Sequence, residues 1–117
     1  MIDDEVAVGR ALRGALADEH DVLVAGSGRE ALELLAKDDR YDVILCDLMM
    51  PDMTGMDVWE QLRREGNRVA DKVVFVTGGA FTPRAREFLD SVANIHIEKP
   101  FDMMELRALV RGRIQMG

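Results

Sequence analysis

Cysteine, histidine, proline and aromatic side chains are all scarce in this chain of 117 residues: one Cys, two His, three Pro and 5% aromatics. The lone Cys46 excludes an internal disulfide and any multi-cysteine zinc site. His20 and His96 lie far apart in sequence, which argues against a histidine-cluster metal site. Basic charge is in deficit as well, 15 Lys+Arg against 22 Asp+Glu for a net −7, so no basic face for a nucleic-acid backbone is expected. Long apolar runs are missing. Residues 43–46 and 73–76 are strand-length and far too short to span a membrane. The amino terminus, Met1-Ile2-Asp3-Asp4-Glu5, is acidic where a signal peptide is basic. The expectation is a reduced, cytoplasmic setting with no membrane partner. The length suits one domain, 1–117, with no effector domain. Carboxylate is what the chain has in plenty, so a bound metal should be a hard cation on oxygen ligands.

Short β-branched runs alternate with longer helical stretches. Val8, Leu12, Ala15 and Leu16 recur at steps of three and four, one face of an amphipathic helix over 5–19. Residues 21–25 (DVLVA) read as a strand, and Ser27 with Glu30 as a capping box for a helix through Lys37. A buried strand over 42–47 (DVILCD) ends in a carboxylate; a loop and a helix over 56–64 follow. Residues 72–77 (KVVFVT) form the next strand. Thr82-Pro83 then opens a helix with proline at its first position. A short strand over 94–98 leads through Lys99-Pro100 to a last helix capped by Asp102 and Glu105, with Leu106, Leu109 and Val110 inward.

Strands alternating with helices imply a parallel sheet covered on both faces, with ligands beyond the carboxyl ends of its strands. Those ends carry Asp3-Asp4, Gly26-Ser27, Asp47-Leu48, Thr77-Gly78 and Lys99-Pro100. Converging carboxylates repel unless a cation sits among them, and Mg²⁺ needs only one or two carboxylates plus a phosphoryl oxygen. The same Asp3 and Asp4 also read as helix caps favoured by the helix dipole. Asp47 is harder to explain as structural, because it ends an apolar strand where an unpaired charge is costly. A carboxylate there is a nucleophile toward phosphorus, with Lys99 and Thr77 as charge and hydroxyl partners for the transferred group.

The segments IDDE, VILCDLMMPDMTGMD, VVFVTGGA and IEKPF resemble the receiver domain of two-component response regulators, in the family's order and over essentially the whole chain. The resemblance implies an α/β, flavodoxin-like, doubly wound parallel sheet of strand order 2-1-3-4-5. Asp47 would be the phosphoacceptor, and Asp3, Asp4, Asp47 and the backbone carbonyl of Met49 would hold Mg²⁺. Thr77 and Lys99 would bind and switch on the phosphoryl group, beside a small Gly78, and the Lys99-Pro100 bond would be cis. His96 occupies a second switch position where the family carries Tyr or Phe, which would add a response to pH. The implied partner is a sensor histidine kinase or phosphotransfer domain, and 78–83 with 98–102 resemble receivers of hybrid sensor kinases. Such a domain accepts a phosphoryl group without being an enzyme, with slow self-dephosphorylation at most, because Met49 stands where aspartate-nucleophile phosphatases carry an acid-base Asp.

The start of the chain departs from the family. A receiver's first strand has about five apolar residues before the acidic pair, and here only Met1-Ile2 precede Asp3. Without that central strand its neighbours would stand roughly 9–10 Å apart with unpaired edges. A homodimer or strand exchange with another molecule would fill the gap. Two other functions remain: a receiver-like interaction module with impaired phosphorylation, and a dinucleotide-binding fragment. For the latter, Gly26-Ser27-Gly28-Arg29-Glu30-Ala31 fits the glycine fingerprint and Asp47 lies about twenty residues on.

Overall fold

In the computed structural model the described residues are 1–78, 82–100 and 102–116, without the side chain of Met116. Three parallel strands, β1 (Ile44–Asp47), β2 (Val73–Thr77) and β3 (His96–Glu98), pair in the order β1-β2-β3. The register sets Asp47 beside Val76 and Thr77 beside Glu98, so the strand ends carrying polar chemistry are level. Among the described residues five α-helices surround them: α1 (Val6–Leu16), α2 (Gly28–Lys37), α3 (Gly55–Arg64), α4 (Pro83–Ser91) and α5 (Met103–Met116).

Side chains alternate across a strand, so β1 and β2 feed two apolar layers. Ile44, Cys46, Val73 and Phe75 pack with Leu35 of α2, Met56, Val58 and Leu62 of α3, and Phe88 of α4. Leu45, Val74 and Val76 pack on the other face with Leu12 and Leu16 of α1 and Leu106 and Val110 of α5. Fully burying each such side chain contributes about 1.5–3 kcal/mol. Phe88 is edge-on to both Phe75 and Trp59, with ring centroids 5.2 and 5.4 Å apart, which fixes α4 against α3 and the sheet.

The missing first strand is present in miniature. Ile2 forms parallel bridges to Ala25 on one side and Cys46 on the other. Its N–H donates to the Leu45 carbonyl (2.7 Å) and its carbonyl accepts from the Asp47 N–H (2.9 Å), while the Ala25 N–H donates to the Met1 carbonyl (2.9 Å). The spatial order is therefore Ala25, Ile2, β1, β2, β3, the 2-1-3-4-5 order with its first two strands each reduced to a single bridging residue. Residues 21–24 are not a regular strand as expected from DVLVA; only Ala25 has a bridge, because a strand needs a partner along its length and Ile2 reaches only its end.

Local chemistry explains the helix starts. Ser27 Oγ accepts from the Glu30 N–H, but the Glu30 carboxylate reaches the Gly26 N–H, one residue beyond the expected capping box. Thr82 Oγ accepts from the Ala85 N–H with Pro83 in the first turn, as read from the sequence. Residues 68–72 form a 3-10 turn that periodicity did not announce, opened by the Asn67 side chain accepting from the Val69 N–H. Among the described residues no helix is long and apolar enough to cross a membrane.

Candidate phosphoacceptor and metal site

Each chemical group of the site sits where an apolar element runs out. Asp47 closes β1, Thr77 closes β2, Asp3 follows the bridging Ile2, and Lys99 follows β3. The Lys99 N–H donates to the Thr77 carbonyl (2.7 Å), and the Lys99–Pro100 bond is cis.

Asp3 and Asp47 are buried, at 1% and 5% exposure. Asp3 accepts from the Glu5 N–H (2.8 Å) and from Lys99 Nζ (3.2 Å). Lys99 Nζ also lies 3.5 Å from Asp47 Oδ2 and 3.8 Å from Glu5 Oε1, and the Met49 N–H donates to Asp47 Oδ1 (3.2 Å). Asp4 is exposed, yet ligand oxygens of Asp3, Asp4 and Asp47 all lie within 4.8 Å of one another. Capping is not the main role of the acidic pair: α1 starts after Glu5, with no side chain bonded to its first turn.

The charges do not balance, since one ammonium is shared by three carboxylates, Asp3, Glu5 and Asp47. Burial, and then the Asp3 charge, push the Asp47 carboxyl up to about 6, and Lys99 and the Met49 N–H only partly offset them. For Lys99 burial favours the neutral amine, but Asp47 and Asp3 outweigh it and the ammonium's pKa is raised. A pocket of clustered hard oxygens, with the Asp47 carboxyl reluctant to ionise, is the donor set that fits a small divalent cation.

Thr77 is buried at 1% exposure, and its hydroxyl makes only a long 3.5 Å contact to the Ile97 carbonyl. His96 opens β3, exposed, in register with Phe75. Gly78 is exposed, and a methyl group there would meet nothing within 4 Å among the described residues.

Two features of the site were not read from the sequence. Gly55 is held against the end of β1: a Cβ would sit 2.5 Å from the Asp47 carbonyl oxygen, and the Gly55 N–H donates to the Leu48 carbonyl (2.9 Å). Thr54 and Asp57 form a reciprocal capping box that starts α3 there, and Arg84 of α4 reaches Asp57 at 3.3 Å. The Thr-x-x-Asp spacing carries that signal. The glycine fingerprint has a packing explanation instead. A Cβ on Gly28 would lie 2.8 Å from Val58 Cγ2 and 3.0 Å from Met53, so the residue lets α2 approach α3.

A family model described as the response regulator receiver domain matches residues 1–111. The chain belongs to this family. Receivers are phosphoacceptor signalling domains of two-component systems, phosphorylated by sensor histidine kinases, and generally hold Mg²⁺ in an acidic pocket of this kind. The receiver is 34% identical over 116 residues to response regulator MprA of Mycolicibacterium vanbaalenii, covering 98% of this chain and 49% of the relative. It is also 34% identical over 115 residues to MprA of Mycobacterium leprae, with 97% and 49% covered. The chain thus spans about half the length of these curated relatives. Among solved structures, the Francisella response regulator 1452 receiver domain superposes with a TM-score of 0.80 at 27% identity, covering 98% of this chain and 93% of that one. A receiver domain from Clostridium thermocellum gives 0.83 at 26% identity, with 98% and 91% covered.

Proposed function

We propose that this receiver accepts a phosphoryl group on Asp47 from the phosphohistidine of a sensor kinase or phosphotransfer domain and uses Thr77 and Lys99 to turn that charge into a change of surface. The observation that carries the proposal is the buried Asp47 carboxylate with Lys99 Nζ at 3.5 Å and Asp3 sharing the same ammonium. An Asp47 oxygen attacks phosphorus, the phosphorus–nitrogen bond breaks, and the imidazole leaves with the electron pair. Lys99 is placed to balance charge on the phosphoryl oxygens, and no base beyond the carboxylate is needed. Asp3, Asp4, Asp47 and the Met49 carbonyl would hold Mg²⁺, which supplies charge neutralisation when bound.

The Thr77 hydroxyl, weakly held by Ile97, is free to turn toward a phosphoryl group. A new acceptor with nearly two negative charges biases that rotation and moves β3 and its flanking helices, a population shift driven by a local charge. His96, exposed on β3, would modulate partner binding there. Turnover beyond slow self-dephosphorylation is not expected, since Met49 supplies no acid-base group near Asp47. A cytoplasmic location suits the proposed kinase partner.

Incubation with acetyl phosphate, with and without Mg²⁺, tests the acceptor. The expected result is an acid-stable, base-labile adduct of one phosphoryl unit that requires Mg²⁺ and is lost in Asp47→Ala. An adduct that persists in Asp47→Ala would overturn the assignment. Absence of any adduct would favour a receiver-like interaction module.

A further inference from the structure

One carboxylate at the site serves neither as acceptor nor in the metal-ligand cluster. Glu5 is the residue before α1, the position where Ser, Thr, Asp or Asn would cap the helix, and its side chain makes no capping bond. Its N–H is fixed by Asp3 Oδ1 (2.8 Å), and its carboxylate turns to Lys99 Nζ at 3.8 Å. A residue that forgoes a local cap for a contact with the other end of the chain departs from local rules, as functional positions do.

Glu5 differs from the other acids around Lys99. Asp3, Asp4 and Asp47 bring ligand oxygens within 4.8 Å of one another, and Glu5 is not in that cluster. A cation among the three aspartates therefore leaves the Glu5 charge in place. Asp3 and Asp47 are buried, whereas the Glu5 side chain is 64% exposed, at the outer edge of the site. The contacts through Lys99 put Glu5 Oε1 within about 7 Å of Asp47 Oδ2, inside the Debye length of about 8 Å at physiological ionic strength. A donor reacting at Asp47 is within the field of this carboxylate.

Phosphodonors differ in the charge of what they release. With an acyl phosphate, an Asp47 oxygen bonds to phosphorus, the phosphorus–oxygen bond breaks, and the electron pair leaves on a carboxylate with a full negative charge. With a phosphoramidate or a phosphohistidine the phosphorus–nitrogen bond breaks, and the pair goes to a nitrogen that carries a proton and leaves uncharged. A fixed negative charge beside the acceptor opposes the first departure and not the second. One unit charge at about 7 Å corresponds to about threefold in rate at the dielectric of water, and to more where the site excludes water.

We infer that Glu5 is a specificity-determining residue for the phosphodonor: its carboxylate selects donors with an uncharged nitrogen leaving group against donors that release an anion. The inference rests on Asp47 being the phosphoacceptor and adds the residue that sets the chemical class of donor. Glu5 also shares Lys99, but freeing that ammonium speeds both kinds of donor, so the ratio of the two rates isolates the effect of charge on the leaving group.

The test incubates the 117-residue protein with Mg²⁺ and either acetyl phosphate or phosphoramidate, and follows the rate of the one-phosphoryl adduct by mass spectrometry. In Glu5→Gln the rate ratio should shift toward acetyl phosphate at least about threefold, and the shift should shrink in roughly 1 M KCl, where the Debye length falls to about 3 Å. Glu5→Ser removes the same charge but supplies a capping hydroxyl, and should shift the ratio equally, which separates the charge from the stability of α1. Glu33→Gln loses the same charge at an exposed position of α2 and should leave the ratio unchanged. A ratio that moves less than about 1.5-fold in Glu5→Gln, moves equally in Glu33→Gln, or shifts by the same factor at both salt concentrations overturns the inference. Adduct formation with an unchanged ratio overturns the inference alone; no adduct on the parent protein from either donor overturns the acceptor reading, and the inference with it.

Discussion

Replacing Asp47 by Asn should make the cation-free protein more stable, and the gain should depend on pH in a fixed direction. Burial, and then the Asp3 charge, lift the Asp47 carboxyl from the ordinary carboxylate range to about 6, with Lys99 and the Met49 N–H only partly opposing them. In the unfolded chain the same group ionises near 4. Between those values the folded protein holds a proton the unfolded chain has lost, so ionisation works against the fold as pH rises. Two pKa units correspond to about 3 kcal/mol, a ceiling that rearrangement of Lys99 lowers to about 2 kcal/mol. Asn keeps the shape and an oxygen for the Met49 N–H but carries no charge. In urea or thermal denaturation with a chelator present, the variant should match the parent near pH 4. It should pull ahead between pH 4 and 6, then hold a constant lead of about 2 kcal/mol, several degrees in Tm, at pH 8. Adding Mg²⁺ should shrink the lead by stabilising the parent through mass action. A parent more stable than Asp47→Asn at pH 8 without divalent cations, or a lead independent of pH, would refute the electrostatic account.

Other residues give sharper local tests. Lys99→Met should raise the Asp47 pKa further and reduce the rate of phosphorylation by acetyl phosphate at least about tenfold, read by mass spectrometry over time. Gly55→Ala forces a methyl group to 2.5 Å from the Asp47 carbonyl oxygen and should cost about 2–4 kcal/mol in urea denaturation; a cost under about 0.5 kcal/mol would show that α3 moves away freely. Asn94→Ala removes donors to the Ala70 and Val73 carbonyls (2.9 and 2.8 Å) and should destabilise by about 1–3 kcal/mol without changing Asp47 phosphorylation. His96→Phe should leave phosphorylation intact and change partner affinity in a binding titration; unchanged affinity would remove His96 from the output surface.

Much of the site was legible in the sequence because parallel sheets bring their strand ends to one rim. Once 42–47 and 72–77 read as buried strands, Asp47 and Thr77 had to share that rim, and Lys99 after a third strand joined them. Gly55 was missed since nothing in the sequence tells that its neighbour is a carbonyl rather than solvent. Glu5 was missed because its contact with Lys99 spans nearly the whole chain. The glycine fingerprint at 26–28 left a dinucleotide-binding alternative open for a related reason: a glycine that lets two helices touch and one that lets a phosphate approach look alike until Val58 is placed beside it.

By itself the amino-acid sequence determined the class of fold, the order of elements, the caps at Ser27 and Thr82 and the chemical kind of each rim group. These follow from local periodicity and from residue chemistry, which need no partner. Only the tertiary structure decided how three residues, Met1 to Asp3, hold the centre of the sheet between Ala25 and Cys46. Only there, too, does one lysine come to serve three carboxylates. Those outcomes depend on which backbone groups and charges meet across long stretches of chain, where distance and burial set the energies.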